Sequence, residues 1–199
     1  MKGFTLIELI ISIAIFAAMT ALVIARYGSF NQGTLLTNIA YDMALTIRTA
    51  QTYGLSVKSA DASTDNFNAA YGIDFAGNDT THFTFFADIS NSGSNANRYD
   101  GIGSGEAITT YAITQGAKIT QICLATTIDN CTGSNVLGPN DILDVTYKRP
   151  NPNAIFTVTS NGTPGLNTQP IAFITLTSAD NSHSEVVYIR KNGQISVGN

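Results

Sequence analysis

An apolar run of 22 residues, Phe4 to Ala25, carries a single charge, at Glu8, and constrains this chain more than any other feature. As a helix it is about 33 Å long, close to the ~30 Å hydrocarbon core of a bilayer. Lys2 precedes the run and Arg26 follows it, so flanking charge favours an inside N-terminus only weakly. A secretory signal would have a shorter apolar core and a small-residue cut site. Ala14 to Ala21 offers small residues, but the run is too long and Glu8 stands near its start. A plain signal anchor has no use for that carboxylate. Even lenient scales put an ionised side chain at the bilayer centre at a cost of about 2.5–3.5 kcal/mol.

The residues around the carboxylate give it a purpose. Gly3-Phe4-Thr5-Leu6-Ile7-Glu8-Leu9 resembles the prepilin peptidase motif of type IV pilins and type II secretion pseudopilins. The resemblance implies that Met1 to Gly3 is a leader, that cleavage falls between Gly3 and Phe4, and that the new amine of Phe4 is N-methylated. It implies that Glu8 pairs with the Phe4 amine of a neighbouring subunit during assembly. That pairing is physically sensible, because a lone buried charge is costly and a partner offsets much of the cost. Gly3 suits a cleavage site because it has no side chain to obstruct a protease.

After the run, Arg26 to Gly33 holds two glycines and an Asn, each Gly weakening a helix by about 1 kcal/mol. A bend or fray is expected there, with helix resuming at Thr34 as N-cap. Leu36, Ile39, Ala40, Met43, Ile47 and Ala50 then form one apolar stripe at helical spacing, which needs a sheet to cover it. Gly54 is expected to end the helix. Past residue 66 the period becomes strand-like. Strands are expected at 70–75, 82–87, 108–113, 118–125, 142–148, 154–159, 171–177, 185–190 and 194–197. Turns are expected at 76–79, 138–141, 161–165 and Asn192-Gly193. No βαβ pattern appears, so the fold class is α+β: a long N-terminal helix packed on an antiparallel β domain. The expected division is leader 1–3, membrane or filament-core helix 4–25, bend and amphipathic helix 26–54, and globular β domain 55–199. The stretches Ala44 to Ala50 with Gly54 to Val57, and Val187 to Ile195, resemble the GspH/FimT group of minor pilins and pseudopilins. That resemblance places Arg48 at the helix end, where a cation complements the macrodipole.

Charged residues are only 12% of the chain, about half the ~25% of an ordinary soluble domain. Thr, Ser, Asn and Gly fill their place, as suits an extracytoplasmic surface of short strands and polar loops. The two cysteines, Cys123 and Cys131, have neither a CxxC nor a His cluster beside them, which argues against zinc. In an exported domain a local disulfide is favoured, with two unpaired buried thiols as the alternative. The loop from Asp88 to Glu106 opens as Asp-x-Ser-x-Ser-Gly, like the first half of a calcium loop. Asp88, Ser90, Asp100 and Glu106 are its candidate ligands for Ca²⁺, although Tyr99 occupies the position where such a loop carries Glu, and a bulge over 94–97 is required. The alternative is a solvated polar loop.

Catalysis finds no motif. His82 and His183 are isolated in sequence, and there is no G-x-S-x-G, H-E-x-x-H or P-loop. A net charge of −4 gives no general attraction for nucleic acid. The adjacent basic pairs Lys148-Arg149 and Arg190-Lys191 are the candidate phosphate contacts if the chain resembles DNA-binding relatives of the FimT type. The expected function is thus a structural minor pilin or pseudopilin with no cofactor and no enzymatic activity. Its partners would be other pilin subunits, prepilin peptidase and, before assembly, membrane lipid. Its N-terminus would be cytoplasmic and its globular domain outside the membrane, then in a filament. The alternative is a DNA-binding or adhesive subunit at the filament tip.

Overall fold

The computed structural model describes residues 3–56, 58–60, 67–90, 93 and 96–198, and the side chains of 25–30 are outside that description. Among the described residues one α-helix, α1 (Leu6–Leu55), leads into ten strands: β1 (Ala70–Ala76), β2 (His82–Asp88), β3 (Ala107–Ala112), β4 (Lys118–Ala125), β5 (Ile142–Lys148), β6 (Asn151–Ser160), β7 (Thr163–Asn167), β8 (Ile171–Thr177), β9 (Ser184–Arg190) and β10 (Ile195–Gly198). They form a six-stranded sheet in the order β3-β2-β1-β5-β6-β7 and a four-stranded sheet in the order β10-β9-β8-β4. Every pairing is antiparallel, so the fold is α+β as expected.

The fray expected at Arg26 to Gly33, with helix resuming at Thr34, is corrected: helix continues through the segment, and Thr34 lies mid-helix rather than at a cap. Two glycines cost about 2 kcal/mol together, a small sum for a helix of 50 residues whose second half is fixed by packing. Gly33 already touches the domain, since a Cβ there would lie 3.4 Å from the His183 ring. Beyond it the stripe docks. Leu36, Ala40, Met43, Ile47 and Ala50 are buried with Tyr71, Ile73 and Phe75 of β1, Leu143, Val145 and Tyr147 of β5, and Val187 and Ile189 of β9. The helix therefore touches both sheets.

Gly54 serves a purpose other than stopping the helix, which ends one residue later at Leu55. A Cβ on Gly54 would sit 2.3 Å from the Tyr147 carbonyl oxygen, so glycine lets α1 lie directly on β5. Arg48 is not in the last turn. Its Nη2 donates to the Ile195 carbonyl at 3.1 Å, tying the helix to β10 instead of complementing the macrodipole. Val57 lies outside the described residues.

The turn expected over 161–165 is shorter in fact. Asn161 and Gly162 both have positive φ, +49° and +77°, the two-residue hairpin geometry that matches strand twist. Thr163 to Asn167 then pairs with β6. Pro164 and Gly165 read as turn residues, yet proline is tolerated on an edge strand, and β7 is an edge.

β1 is covered on both faces. Tyr71, Ile73 and Phe75 face α1, and by strand alternation Gly72 and Asp74 face the other way, beneath the chain that follows β2. Tyr99 from that segment rests on Phe86, ring centroids 5.5 Å apart.

Candidate functional site: the N-terminal helix and the loops that crown the domain

The N-terminus of α1 is built by a reciprocal cap. Thr5 is the N-cap, and its Oγ1 accepts the Glu8 N–H at 3.4 Å. The Glu8 carboxylate reaches back to accept the Thr5 N–H at 3.0 Å and the Thr5 hydroxyl at 2.8 Å. Such a capping box satisfies helix donors that have no partner in the first turn. Ser12 donates to the Glu8 carbonyl at 2.7 Å and Thr20 to the Phe16 carbonyl at 2.8 Å. Each hydroxyl in the apolar run is thereby satisfied within the helix, which lets it lie in an apolar medium.

Leu6 to Ile24 has a mean hydropathy of 2.5 and none of it is buried within the chain. Ahead of it, Gly3 to Thr5 is outside any helix, and nothing lies within 4 Å of where a Gly3 side chain would be. Phe4 is 86% exposed. The Gly3–Phe4 bond is thus open to a protease and directly precedes a self-capped helix with no internal partner. Residues 1–24 match the family model described as the prokaryotic N-terminal methylation motif. These residues are a prepilin motif, the signature of type IV pilins and pseudopilins. The motif and the exposed apolar helix fit a single-pass, membrane-anchored pilin-like subunit, and they imply prepilin peptidase and other pilins as partners. No curated protein and no solved structure matches the chain.

Cys123 and Cys131 form a disulfide, Cα to Cα 5.7 Å, as favoured for an exported domain. It joins the end of β4 to the residue after a 3-10 turn at Ile128–Asn130. It packs with Ala125, Ile171, Phe173 and Val186.

The structure brings Asp88, Ser90, Asp100 and Glu106 together, but as a clip that fastens the loop to itself. Glu106 Oε1 accepts the N–H groups of Ile89 and Ser90 and the Ser90 hydroxyl, at 3.0–3.3 Å. Its Oε2 accepts the Asp100 N–H at 2.8 Å. Asp88 Oδ2 accepts the Asn97 N–H at 2.7 Å, and the Ser90 hydroxyl also reaches Asp100 at 2.8 Å. Among the described residues no group of three or more His, Cys, Asp or Glu side chains is arranged to hold a metal ion. Residues 91, 92, 94 and 95, part of the expected calcium loop, lie outside them.

The two basic pairs come to one end of the domain. Gln51 Nε2 donates to the carbonyls of Pro152 and Gly193, at 3.1 and 3.0 Å, so the β5–β6 and β9–β10 turns meet the same side chain. The Ala154 N–H donates to the Lys191 carbonyl at 2.9 Å. Lys58 lies near this end, its ammonium 3.6 Å from the centroid of the Tyr53 ring. Arg149 is partly tied down, since its guanidinium donates to the Phe67 carbonyl. Lys148 and Lys191 enter no ion pair among the described residues.

The histidines are far apart in role. His82 pairs with Asp79 at 3.0 Å on the surface, and the His183 N–H donates to Ser178 Oγ at 3.1 Å. Ser178 in turn donates to Asp180 at 2.6 Å, and this bond, with those from Ser182, holds the Asp180 carboxyl down at about 2.

Sequence reading missed one constellation. Asp74 and Asp144 stand opposite each other across the β1–β5 ladder and are buried, 8% and 1% exposed. Burial pushes Asp74 up to about 7. It also pushes Asp144 well above the ordinary carboxylate range, with repulsion from Asp74 adding to the rise. Each Asp sits in an ordinary apolar strand, and only the register of two strands seventy residues apart makes them a pair.

Proposed function

We propose that this chain is a structural subunit, a minor pilin or pseudopilin, of a type IV pilus or type II secretion-like filament. The observation that carries the reading is the prepilin motif on a helix that is apolar, self-capped and uncovered over Leu6 to Ile24. Such a helix has two stable environments, lipid and a bundle of like helices. In the first, the subunit is anchored in the inner membrane with its domain outside. Peptidase cleavage after Gly3 then frees the Phe4 amine. Assembly transfers the helix from lipid into the bundle, and Glu8 fixes its axial register by pairing with the Phe4 amine of a neighbour. To do so Glu8 exchanges its bonds to Thr5 for one to a cationic donor, whose charge offsets that of a carboxylate carried into the apolar bundle. The test is Glu8→Val, followed by membrane fractionation and isolation of sheared filaments. The variant inserts in the membrane at the wild-type level and is lost from filaments. Normal incorporation would remove Glu8 from the mechanism.

A second reading, a DNA-binding subunit at the filament tip, draws on the meeting of the Lys148-Arg149 and Arg190-Lys191 turns near the C-terminal end of α1. This is the end of the domain remote from the membrane helix, and cations there are placed to meet phosphates. Lys148, Lys191 and Arg190 enter no described ion pair, while Arg149 is tied to the Phe67 carbonyl, so this reading predicts weak, strongly salt-dependent binding. The structural reading predicts none.

A further inference from the structure

The six-stranded sheet carries a cross-strand row on the face opposite α1: Thr84, Asp74, Asp144 and Thr157 stand side by side on β2, β1, β5 and β6. All four are buried, and Thr157 Oγ1 has no hydrogen-bond partner. The strands therefore offer the two central carboxylates no cation. Tyr99, in the segment from Asn97 to Glu106, lies against this face: its ring rests on Phe86 and its N–H donates to Asp144 Oδ1 at 3.1 Å. Other charges face the pair from the elements around it. Arg98, on that segment, attracts Asp144, but its Nε is engaged by Asp100 at 3.1 Å. Asp79, on the β1–β2 turn, adds negative potential at Asp74 and is itself paired with His82. Glu106 and Asp88 hold backbone N–H groups of the same segment. Two ionised carboxylates side by side in a buried site repel, whereas a shared proton turns repulsion into a hydrogen bond.

We propose that Asp74 and Asp144 form a proton-sharing latch: with one proton between them the segment Asn97 to Glu106 is held on the sheet, and loss of that proton opens it to water. Opening relieves the repulsion by hydrating both carboxylates, at the expense of the Tyr99–Asp144 bond and the Tyr99–Phe86 contact. The sign follows from the shift. The closed form keeps its proton up to about 7 at Asp74, whose unperturbed value is 3.8. Stability of the closed form is therefore full below that ordinary value and is lost as pH rises through about 7. The open fraction grows up to tenfold per pH unit between those limits and then levels off.

The test is hydrogen–deuterium exchange at the Tyr99 amide in the full chain in detergent, corrected for intrinsic exchange, with amides of β8 as the reference. Spectra are taken at about pH 5 and about pH 8 in chelator, and again at about pH 8 with Ca²⁺. Protection of Tyr99 relative to β8 falls at least tenfold between the two pH values. Asp74→Asn replaces the shared proton with an amide donor and removes the repulsion, so the fall in protection between the two pH values shrinks. Asp144→Asn is read the same way should Asp74→Asn fail to fold. Equal protection of the wild-type chain at both pH values overturns the latch. So does an undiminished pH dependence in the Asn variant. Restoration of protection by Ca²⁺ at the higher pH also overturns it, by making the pair a cation site.

Discussion

Leu6 to Ile24 and Leu36 to Ala50 belong to one unbroken helix, yet the two segments are built for opposite surroundings. In the first, apolar residues occur all round the axis and every one is exposed within the chain. In the second, they recur three and four residues apart and are buried against two sheets. Mean hydropathy, 2.5 over Leu6 to Ile24, already sets the first half apart, and the arrangement says why the two need different surroundings: a stripe is satisfied by one packed face, whereas an apolar cylinder needs a medium or a bundle. The polar residues differ in the same way. Thr5, Glu8, Ser12 and Thr20 satisfy one another or the helix's own carbonyls. Arg48 and Gln51 instead reach out to the carbonyls of β10 and the neighbouring turns. One half closes in on itself and the other is clipped to a domain.

The contrast can be broken most severely at Ile47, which has no exposed surface. Ile47→Ala lowers the unfolding free energy of the domain by about 2–5 kcal/mol, read by thermal or denaturant melts in detergent. A smaller loss is expected from Gly54→Ala. Its Cβ meets the Tyr147 carbonyl oxygen, a backbone atom that cannot swing aside, so the helix end lifts from β5 at a cost of about 1–3 kcal/mol. Ile11→Ala, in the exposed half, changes the same melts by less than about 0.5 kcal/mol and leaves its mark only on membrane retention. A domain destabilised as much by Ile11→Ala as by Ile47→Ala would mean that the first half is packed on the domain after all.

Much of this was legible because it was local. The apolar run, the stripe from Leu36 to Ala50, and strands such as Lys118–Ala125 and Ile171–Thr177 announce themselves by period, and the observed bounds of both strands are the expected ones. What escaped the sequence was settled by tertiary contact. Helix through Gly28 and Gly33 defeats local propensity because the docked half holds the register. Thr163 to Asn167 is a strand despite Pro164 because it lies on an edge. Asp88, Ser90, Asp100 and Glu106 do converge, but the spacing could not say that Asp88 and Glu106 accept backbone N–H groups of their own loop. The Asp74–Asp144 pair is invisible in sequence, since strand register and not spacing creates it.

The central claim is that the first half of α1 is a prepilin segment, and it is tested most directly at the N-terminus itself. Intact mass and N-terminal sequencing would be measured on protein recovered from membranes, with and without co-expressed prepilin peptidase. With the peptidase present, a chain beginning at an N-methylated Phe4 is expected. A chain that still begins at Met1 with the peptidase present, or one cut near Ala21, would contradict the claim.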